Sequence, residues 1–157
     1  MNEIRRIASF SVDHDYIEPG VYISRVDGDI TTYDLRTRKP NAGDYMDNLT
    51  MHSLEHMFAT LVRNSEIGNS VIYFGPMGCQ TGFYLLVRDK SKDEVYSVIE
   101  SVLADIVSYG GDMPGQARKE CGNYKNLSLE AAKREARSYL SKLAVAKHRF
   151  VYPKGED

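Results

Sequence analysis

The most constraining feature of the sequence is a pair of histidines, His52 and His56, four positions apart. On a helix with about 3.6 residues per turn, this spacing brings both imidazoles to one face. Two histidines placed in this way can hold a divalent transition metal. Glu55 lies on the same side of the helix and can act as a general base beside such a metal. The segment therefore predicts a helix that carries a metal site.

Length and charge indicate the class of protein. The chain has 157 residues, 42% of them hydrophobic and 27% charged, which predicts a single domain over residues 1–157 with one core. With a net charge of −2 and a pI near 6.1, we expect no nucleic-acid partner and no anionic membrane partner. No apolar run is long enough for a membrane span, and no apolar segment follows Arg5-Arg6 as in a secretory signal. We therefore expect a cytoplasmic protein with free thiols.

The pattern of apolar residues predicts two hairpin-like pairs of strands and three long helices. The predicted strands cover residues 21–26, 30–36, 70–74 and 83–87. The first helix should begin near Asn48 or Thr50 and end at Gly68-Asn69, and the others should cover about 91–107 and 128–146. These elements indicate an α+β fold, in which helices pack on an antiparallel sheet and the H-x-x-E-H motif lies on a core helix. The tail from Tyr152 onward is expected to be loose.

Two histidines need at least one more ligand to hold a catalytic metal. Candidates are Cys79, Cys121, His14, His148 and any acidic side chain. A thiolate binds iron(II), cobalt(II) or zinc strongly, which favours the two cysteines. One could be a ligand and the other an acid–base group, and spacing alone leaves the assignment open. Cys79 follows Gly78 in a glycine-flanked loop that lets a substrate approach, which favours Cys79 as the substrate-facing thiol. A small buried hydrophobic role is the ordinary alternative for either cysteine.

Five motifs, in order and spacing, resemble the S-ribosylhomocysteine lyase (LuxS) family over about residues 9–140. The most specific is the block from Pro76 to Tyr84, which reads P-M-G-C-Q-T-G-F-Y. The other four are Ser9-Phe10-x-x-Asp13-His14, Asp34-x-Arg36 before Pro40-Asn41, His52-Ser53-Leu54-Glu55-His56, and Glu120-Cys121-Gly122.

The resemblance implies roles for eight residues of this chain. The implied metal ligands are His52, His56 and Cys121, the implied acid–base pair is Glu55 and Cys79, and the implied substrate-binding residues are Ser9, His14 and Arg36. It also implies iron(II) as the metal, one per subunit, with zinc or cobalt as possible substitutes. The implied assembly is a homodimer with active sites at the subunit interface.

The reaction that this resemblance implies is cleavage of the thioether in S-ribosylhomocysteine. The products are homocysteine and 4,5-dihydroxy-2,3-pentanedione, the precursor of autoinducer-2. The sulfur of a thioether is a poor leaving group unless a carbanion forms on the neighbouring carbon. The sugar carbonyl must therefore migrate from C1 to C3 before sulfur is eliminated from C5. Each migration removes a proton beside a carbonyl, which a Lewis-acidic metal assists.

The chain departs from the family pattern before the P-M-G-C block, where Tyr73-Phe74-Gly75 replaces the usual Asp-Ile-Ser. Arg38-Lys39 also makes the Asp34-x-Arg36 segment more basic than expected. Two other functions are compatible with the histidine pair. One is a small metallopeptidase with an inverted H-x-x-E-H helix, in which Glu55 activates a metal-bound water. The other is a non-catalytic module stabilised by a closed metal site, commonly with four protein ligands.

Overall fold

The structure, a computed structural model, describes residues 3–154 and follows the predicted order of strands and helices. The strands are β1 (Gly20–Asp27), β2 (Ile30–Arg36), β3 (Val71–Pro76) and β4 (Gly82–Arg88). The helices are α1 (Ala8–Ser11), α2 (Asn48–Arg63), α3 (Lys92–Ser108) and α4 (Leu129–Val145), and a 3₁₀ turn covers Gly68–Ser70. The predicted α+β fold is confirmed.

The four strands form one antiparallel sheet in the order β1-β2-β4-β3. Strand β2 lies inside the sheet and pairs with β4 along its whole length, from Ile30 opposite Arg88 to Arg36 opposite Gly82. Successive side chains of a strand point to opposite faces of the sheet. Tyr33 and Leu35 therefore face the hydrophobic core, while Asp34 and Arg36 face the other side.

The core lies between the sheet and the long helices. Helix α3 contributes the apolar stripe that the sequence predicts, and each of its members is buried: Val95, Val98, Ile99, Val102, Leu103 and Ile106. Helix α2 packs against β3 through aromatic rings. Phe58 of α2 stacks on Phe74 of β3 with centroids 4.4 Å apart, and Phe74 stacks on Phe83 of β4 at 5.0 Å.

Helix α2 begins at the predicted place but ends earlier than predicted. The side chain of Asp47 caps its start by accepting a hydrogen bond from the Thr50 backbone N–H at 2.8 Å. Its last residue is Arg63, so the predicted end at Gly68-Asn69 is wrong. Gly68 serves the following turn instead, because a Cβ at this position would collide with the carbonyl of Arg63. The glycine lets the chain fold back closely against the helix end.

The C-terminal segment is attached to the outer edge of β1. The Phe150 N–H donates to the Val21 carbonyl at 2.7 Å, and the Ile23 N–H donates to the Phe150 carbonyl at 2.8 Å. Tyr152 then stacks on Tyr22, with ring centroids 4.7 Å apart. The expectation of a loose tail is therefore wrong at Tyr152, and residues 155–157 lie outside the described part of the chain.

Within residues 3–154, no helix combines the length and the apolar character that crossing a membrane requires.

The aromatic stack predicts where the fold is most sensitive to truncation. Phe74 is 5% exposed between two other rings, so we expect Phe74→Ala to lower the free energy of unfolding by about 3–5 kcal/mol. Urea denaturation followed by circular dichroism measures this change. Ile72→Ala, in the same strand at 38% exposure, is the matched control and should change stability far less. Equal losses in the two variants would contradict the assignment of Phe74 to the core.

Candidate active site

Three of the predicted residues converge beside α2. Ligand atoms of His52, His56 and Cys121 all lie within 4.8 Å of one another. The Cys121 sulfur is 3.4 Å from His52 Nε2, and the two imidazole rings meet edge to face with centroids 4.6 Å apart. The histidines come from consecutive turns of the helix, whereas Cys121 comes from the segment between α3 and α4. The cluster therefore joins the helix to a loop distant in sequence.

Backbone carbonyls fix the orientation of both imidazoles. His52 Nδ1 lies 2.7 Å from the carbonyl oxygen of Asn126, and His56 Nδ1 lies 2.9 Å from that of Pro114. A carbonyl only accepts hydrogen bonds, so each Nδ1 carries the proton and each Nε2 keeps a free lone pair. This is the usual support for metal-binding histidines. Two neutral imidazoles and a thiolate suit zinc, iron(II) or cobalt, and three protein ligands leave a coordination position open for substrate.

The segment 109–128 is held against α2 by further contacts. The Ser128 N–H donates to Ser53 Oγ of α2 at 2.8 Å, and the side-chain amide of Asn126 donates to Asn48 Oδ1. Gly115 adopts a left-handed conformation with φ +70°, and a Cβ there would lie 2.8 Å from His56 Nδ1. Only glycine lets the backbone pass this close to the imidazole.

Sequence reasoning missed the two carbonyl partners, Pro114 and Asn126. A backbone carbonyl belongs to every residue, so no side-chain pattern marks it. The Pro-Gly pair at 114–115 was a visible turn signal, but it did not indicate a contact with His56.

Cys79 lies in the loop between β3 and β4, where it is exposed. Its sulfur is 3.0 Å from Thr81 Oγ1 and 4.0 Å from Arg36 Nη1. Arg36 Nη1 also donates to Thr81 Oγ1 at 2.9 Å. Since that hydroxyl oxygen accepts from arginine, its own proton is free to point at the sulfur. The thiol thus has a hydrogen-bond donor and a positive charge beside it.

The charge of Arg36 is held by a buried carboxylate. Arg36 is 3% exposed and Asp34 is 1% exposed, and they pair in a bidentate manner: Nε to Oδ1 at 3.1 Å and Nη2 to Oδ2 at 2.6 Å. Burial lowers the pKa of Arg36, but the charge and hydrogen bonds of Asp34 outweigh it, so the pKa of Arg36 is raised. The guanidinium stays charged next to Cys79. Its role in substrate binding stays a prediction.

The loop that carries Cys79 is fastened at the next two residues. Gln80 has a positive φ of 67°. Its side-chain amide donates to the Met46 carbonyl at 2.8 Å, and its backbone carbonyl accepts from the Met46 N–H at 3.0 Å. The Thr81 carbonyl accepts from the N–H groups of Thr37 and Arg38, each at 3.0 Å. These bonds hold the thiol in one orientation relative to the end of β2.

The remaining predicted residues are Ser9, His14 and Glu55. Ser9 lies beside the side chain of Tyr84, whose pKa is raised by burial first and then by the charge of Asp34. His14 Nδ1 is 2.8 Å from the Val12 carbonyl. Glu55 is half-buried on α2. Within residues 3–154, the cluster of possible metal ligands contains neither Glu55 nor Cys79.

The departure from the family pattern at residues 73–75 has a steric explanation. The hydroxyl of Tyr73 folds over Gly75 and takes the space that any Cβ at position 75 would need. Tyr73 and Gly75 are thus a matched pair, and the position carries no acidic side chain.

Comparisons with known proteins show the family of this chain. A family model described as S-Ribosylhomocysteinase (LuxS) matches residues 7–149. A protein of Finegoldia magna named S-ribosylhomocysteine lyase is 42% identical over 156 residues, covering 96% of this chain and 99% of that protein. Proteins with the same name from Borreliella afzelii and Clostridium beijerinckii are each 40% identical, over 96% of this chain and 100% and 99% of their own lengths. The chain belongs to the S-ribosylhomocysteinase (LuxS) family.

Proposed function

We propose that this chain is a metal-dependent S-ribosylhomocysteine lyase, a carbon–sulfur lyase that releases homocysteine and 4,5-dihydroxy-2,3-pentanedione. The observation that carries the proposal is the convergence of His52, His56 and Cys121, with both Nδ1 atoms held by backbone carbonyls, in a member of this family. The metallopeptidase alternative is not favoured, because the relatives are lyases by name over nearly their full lengths. We take residues 1–157 to be one catalytic domain that works in the cytoplasm, where both cysteines stay reduced.

The proposed metal ligands are His52 Nε2, His56 Nε2 and Cys121 Sγ. The backbone N–H of Asn123 points at the Cys121 sulfur from 3.4 Å, which is favourable for a thiolate ligand. A bound divalent ion supplies Lewis acidity to an oxygen of the sugar. We propose iron(II), one per subunit, with zinc or cobalt as substitutes, since this donor set suits all three.

The residues of the chain must move protons between neighbouring carbons of the sugar. Each carbonyl shift removes a proton from the carbon beside the carbonyl and returns one to the former carbonyl carbon. In the last step a proton leaves C4, and the electron pair expels the homocysteine sulfur from C5. We propose Cys79 and Glu55 as the acid–base pair. Cys79 has the surroundings of a thiolate base, with Thr81 and the Arg36 guanidinium at its sulfur.

We also propose a homodimer whose active sites lie at the subunit interface and are completed by Ser9, His14 and Arg36. Within one chain the Cys79 thiol is outside the metal cluster. The N-terminal segment that carries Ser9 and His14 exposes Ile4, Ile7 and Phe10, the last at 70%. Apolar side chains on a short exposed segment are well suited to burial against a second subunit.

The contact between Gly115 and His56 gives a test of the metal site. We expect Gly115→Ala to weaken metal binding by about 10–100-fold, because the new methyl group would displace the imidazole from its carbonyl partner. Competition with a chromophoric chelator measures the affinity. Gly110→Ala, in the same segment with open space around it, is the matched control and should bind metal normally. Equal affinity of the two variants would argue against His56 as a ligand.

Substitution of the acid–base pair separates chemistry from metal binding. We expect Glu55→Gln and Cys79→Ser each to lower kcat by at least about 100-fold, since general acid–base catalysis contributes that much. Released homocysteine is titrated with Ellman's reagent, and the metal content is measured by elemental analysis. Both variants should keep their metal, whereas Cys121→Ala should lose it. Near wild-type kcat in either metal-loaded variant would disprove that residue's role.

The shared active site is tested by mixing two inactive variants, Glu55→Gln and His14→Ala. His14 is chosen because its ring nitrogen contacts only the nearby Val12 carbonyl among the bonds described, whereas Arg36 belongs to a buried ion pair. If the two residues serve one site from different chains, a heterodimer has one intact site. Subunit exchange at equal amounts should then restore about a quarter of the wild-type activity. A dimer that forms and remains inactive would place both residues in the same chain.

A further inference from the structure

Tyr152 is linked to the Cys79 thiol through two buried charged groups. Its hydroxyl donates to Asp34 Oδ2 at 2.7 Å, the same oxygen that accepts from Arg36 Nη2 at 2.6 Å. Arg36 Nη1 continues to Thr81 Oγ1 and to the sulfur of Cys79. Hydroxyl, carboxylate, guanidinium and thiol thus form one continuous chain of contacts. Tyr152 also lies beyond residue 149, where the match to the family model ends.

The position of the hydroxyl is fixed by packing. The Tyr152 ring stacks on Tyr22 with an interplanar angle of 17°, and Phe150 attaches the segment to β1 by two backbone hydrogen bonds. Burial first, and then the negative charge of Asp34, raises the pKa of Tyr152. The hydroxyl therefore keeps its proton and donates a hydrogen bond to the carboxylate.

We propose that Tyr152 is a positioning residue that, through Asp34, sets the position of the Arg36 guanidinium beside the Cys79 thiol; this rests on the proposed role of Cys79 as an acid–base group.

The physical reason is the sharing of one carboxylate between two donors. Asp34 is closed to water, so the hydroxyl of Tyr152 neutralises part of its charge and completes the hydrogen bonds of Oδ2. Without the hydroxyl, the full charge of Asp34 acts on Arg36 and draws the guanidinium toward the carboxylate. The sulfur of Cys79 then experiences less positive charge, and its thiolate becomes less favourable. The ionisable groups around this sulfur are Arg36, Asp34 behind it, and Tyr84.

A simple structural clamp is the competing explanation, and Tyr22 offers the matched control. Tyr22 is the other ring of the stacked pair, but its hydroxyl donates to the Glu18 carbonyl at 2.6 Å and does not bind Asp34. Tyr152→Phe and Tyr22→Phe both keep the two rings and remove one hydroxyl. Only the first removes a donor from Asp34.

The experiment measures the alkylation rate of Cys79 by iodoacetamide at neutral pH in the metal-loaded protein, with each cysteine followed by peptide mass spectrometry. We expect Tyr152→Phe to slow Cys79 alkylation by about threefold or more and to lower kcat by about tenfold, with KM nearly unchanged. Tyr22→Phe should leave both rates at wild-type values. A protein with 4-aminophenylalanine at position 152, which keeps a donor on the ring, should recover the wild-type alkylation rate.

Unchanged alkylation in folded Tyr152→Phe would overturn the proposal, and so would an equal loss in Tyr22→Phe. Failure of the 4-aminophenylalanine protein to differ from Tyr152→Phe would also overturn it. If Tyr152→Phe does not fold, the 4-aminophenylalanine protein still decides, since its rate must match that of the wild type. The alkylation rate needs no substrate. A wild-type protein that fails to cleave S-ribosylhomocysteine would therefore reject the proposed function separately.

Discussion

The packing of α2 on the sheet determines where both parts of the candidate active site lie. Phe58 of α2 stacks on Phe74 of β3, which in turn stacks on Phe83 of β4, and this packing orients the helix about its axis. With the apolar side of α2 against β3, the side that carries His52 and His56 turns toward the segment 109–128. The same sheet ends in the loop that carries Cys79. A hydrophobic contact thus orients polar side chains that take no part in it.

The histidine cluster and the surroundings of Cys79 are stabilised by different kinds of interaction. The candidate metal cluster depends on histidines whose Nδ1 atoms are held by backbone carbonyls, so uncharged groups fix the orientation of both rings. The surroundings of Cys79 depend on a charge that is almost wholly buried, since Arg36 is compensated by Asp34 rather than by water. The first arrangement needs a correctly placed loop, and the second needs a correctly placed partner carboxylate.

The spacing of apolar residues predicted the helices and strands well, because packing against one core requires that spacing. The apolar stripe of α3 is a repeated signal, and the burial of all its members confirms it. The histidine spacing likewise placed both imidazoles on one helix face. Spacing could not decide between Cys79 and Cys121, because the pairing of a loop cysteine with a helix depends on the path of the chain. The structure places Cys121 with the histidines.

The errors came from residues whose role depends on distant partners. Gly68 resembles the residue that ends a helix, but the helix has already ended at Arg63. The glycine instead lets the chain lie close to the Arg63 carbonyl. Tyr152 resembles part of a polar tail, but Asp34 and Tyr22, which hold it, are more than a hundred positions away in sequence.

The long segment 109–128 contains no helix or strand. It is held on α2 by contacts with two imidazoles and with the side chains of Ser53 and Asn48, so occupancy of the proposed metal site and order of this segment are thermodynamically linked. Metal binding would then protect this segment from proteolysis.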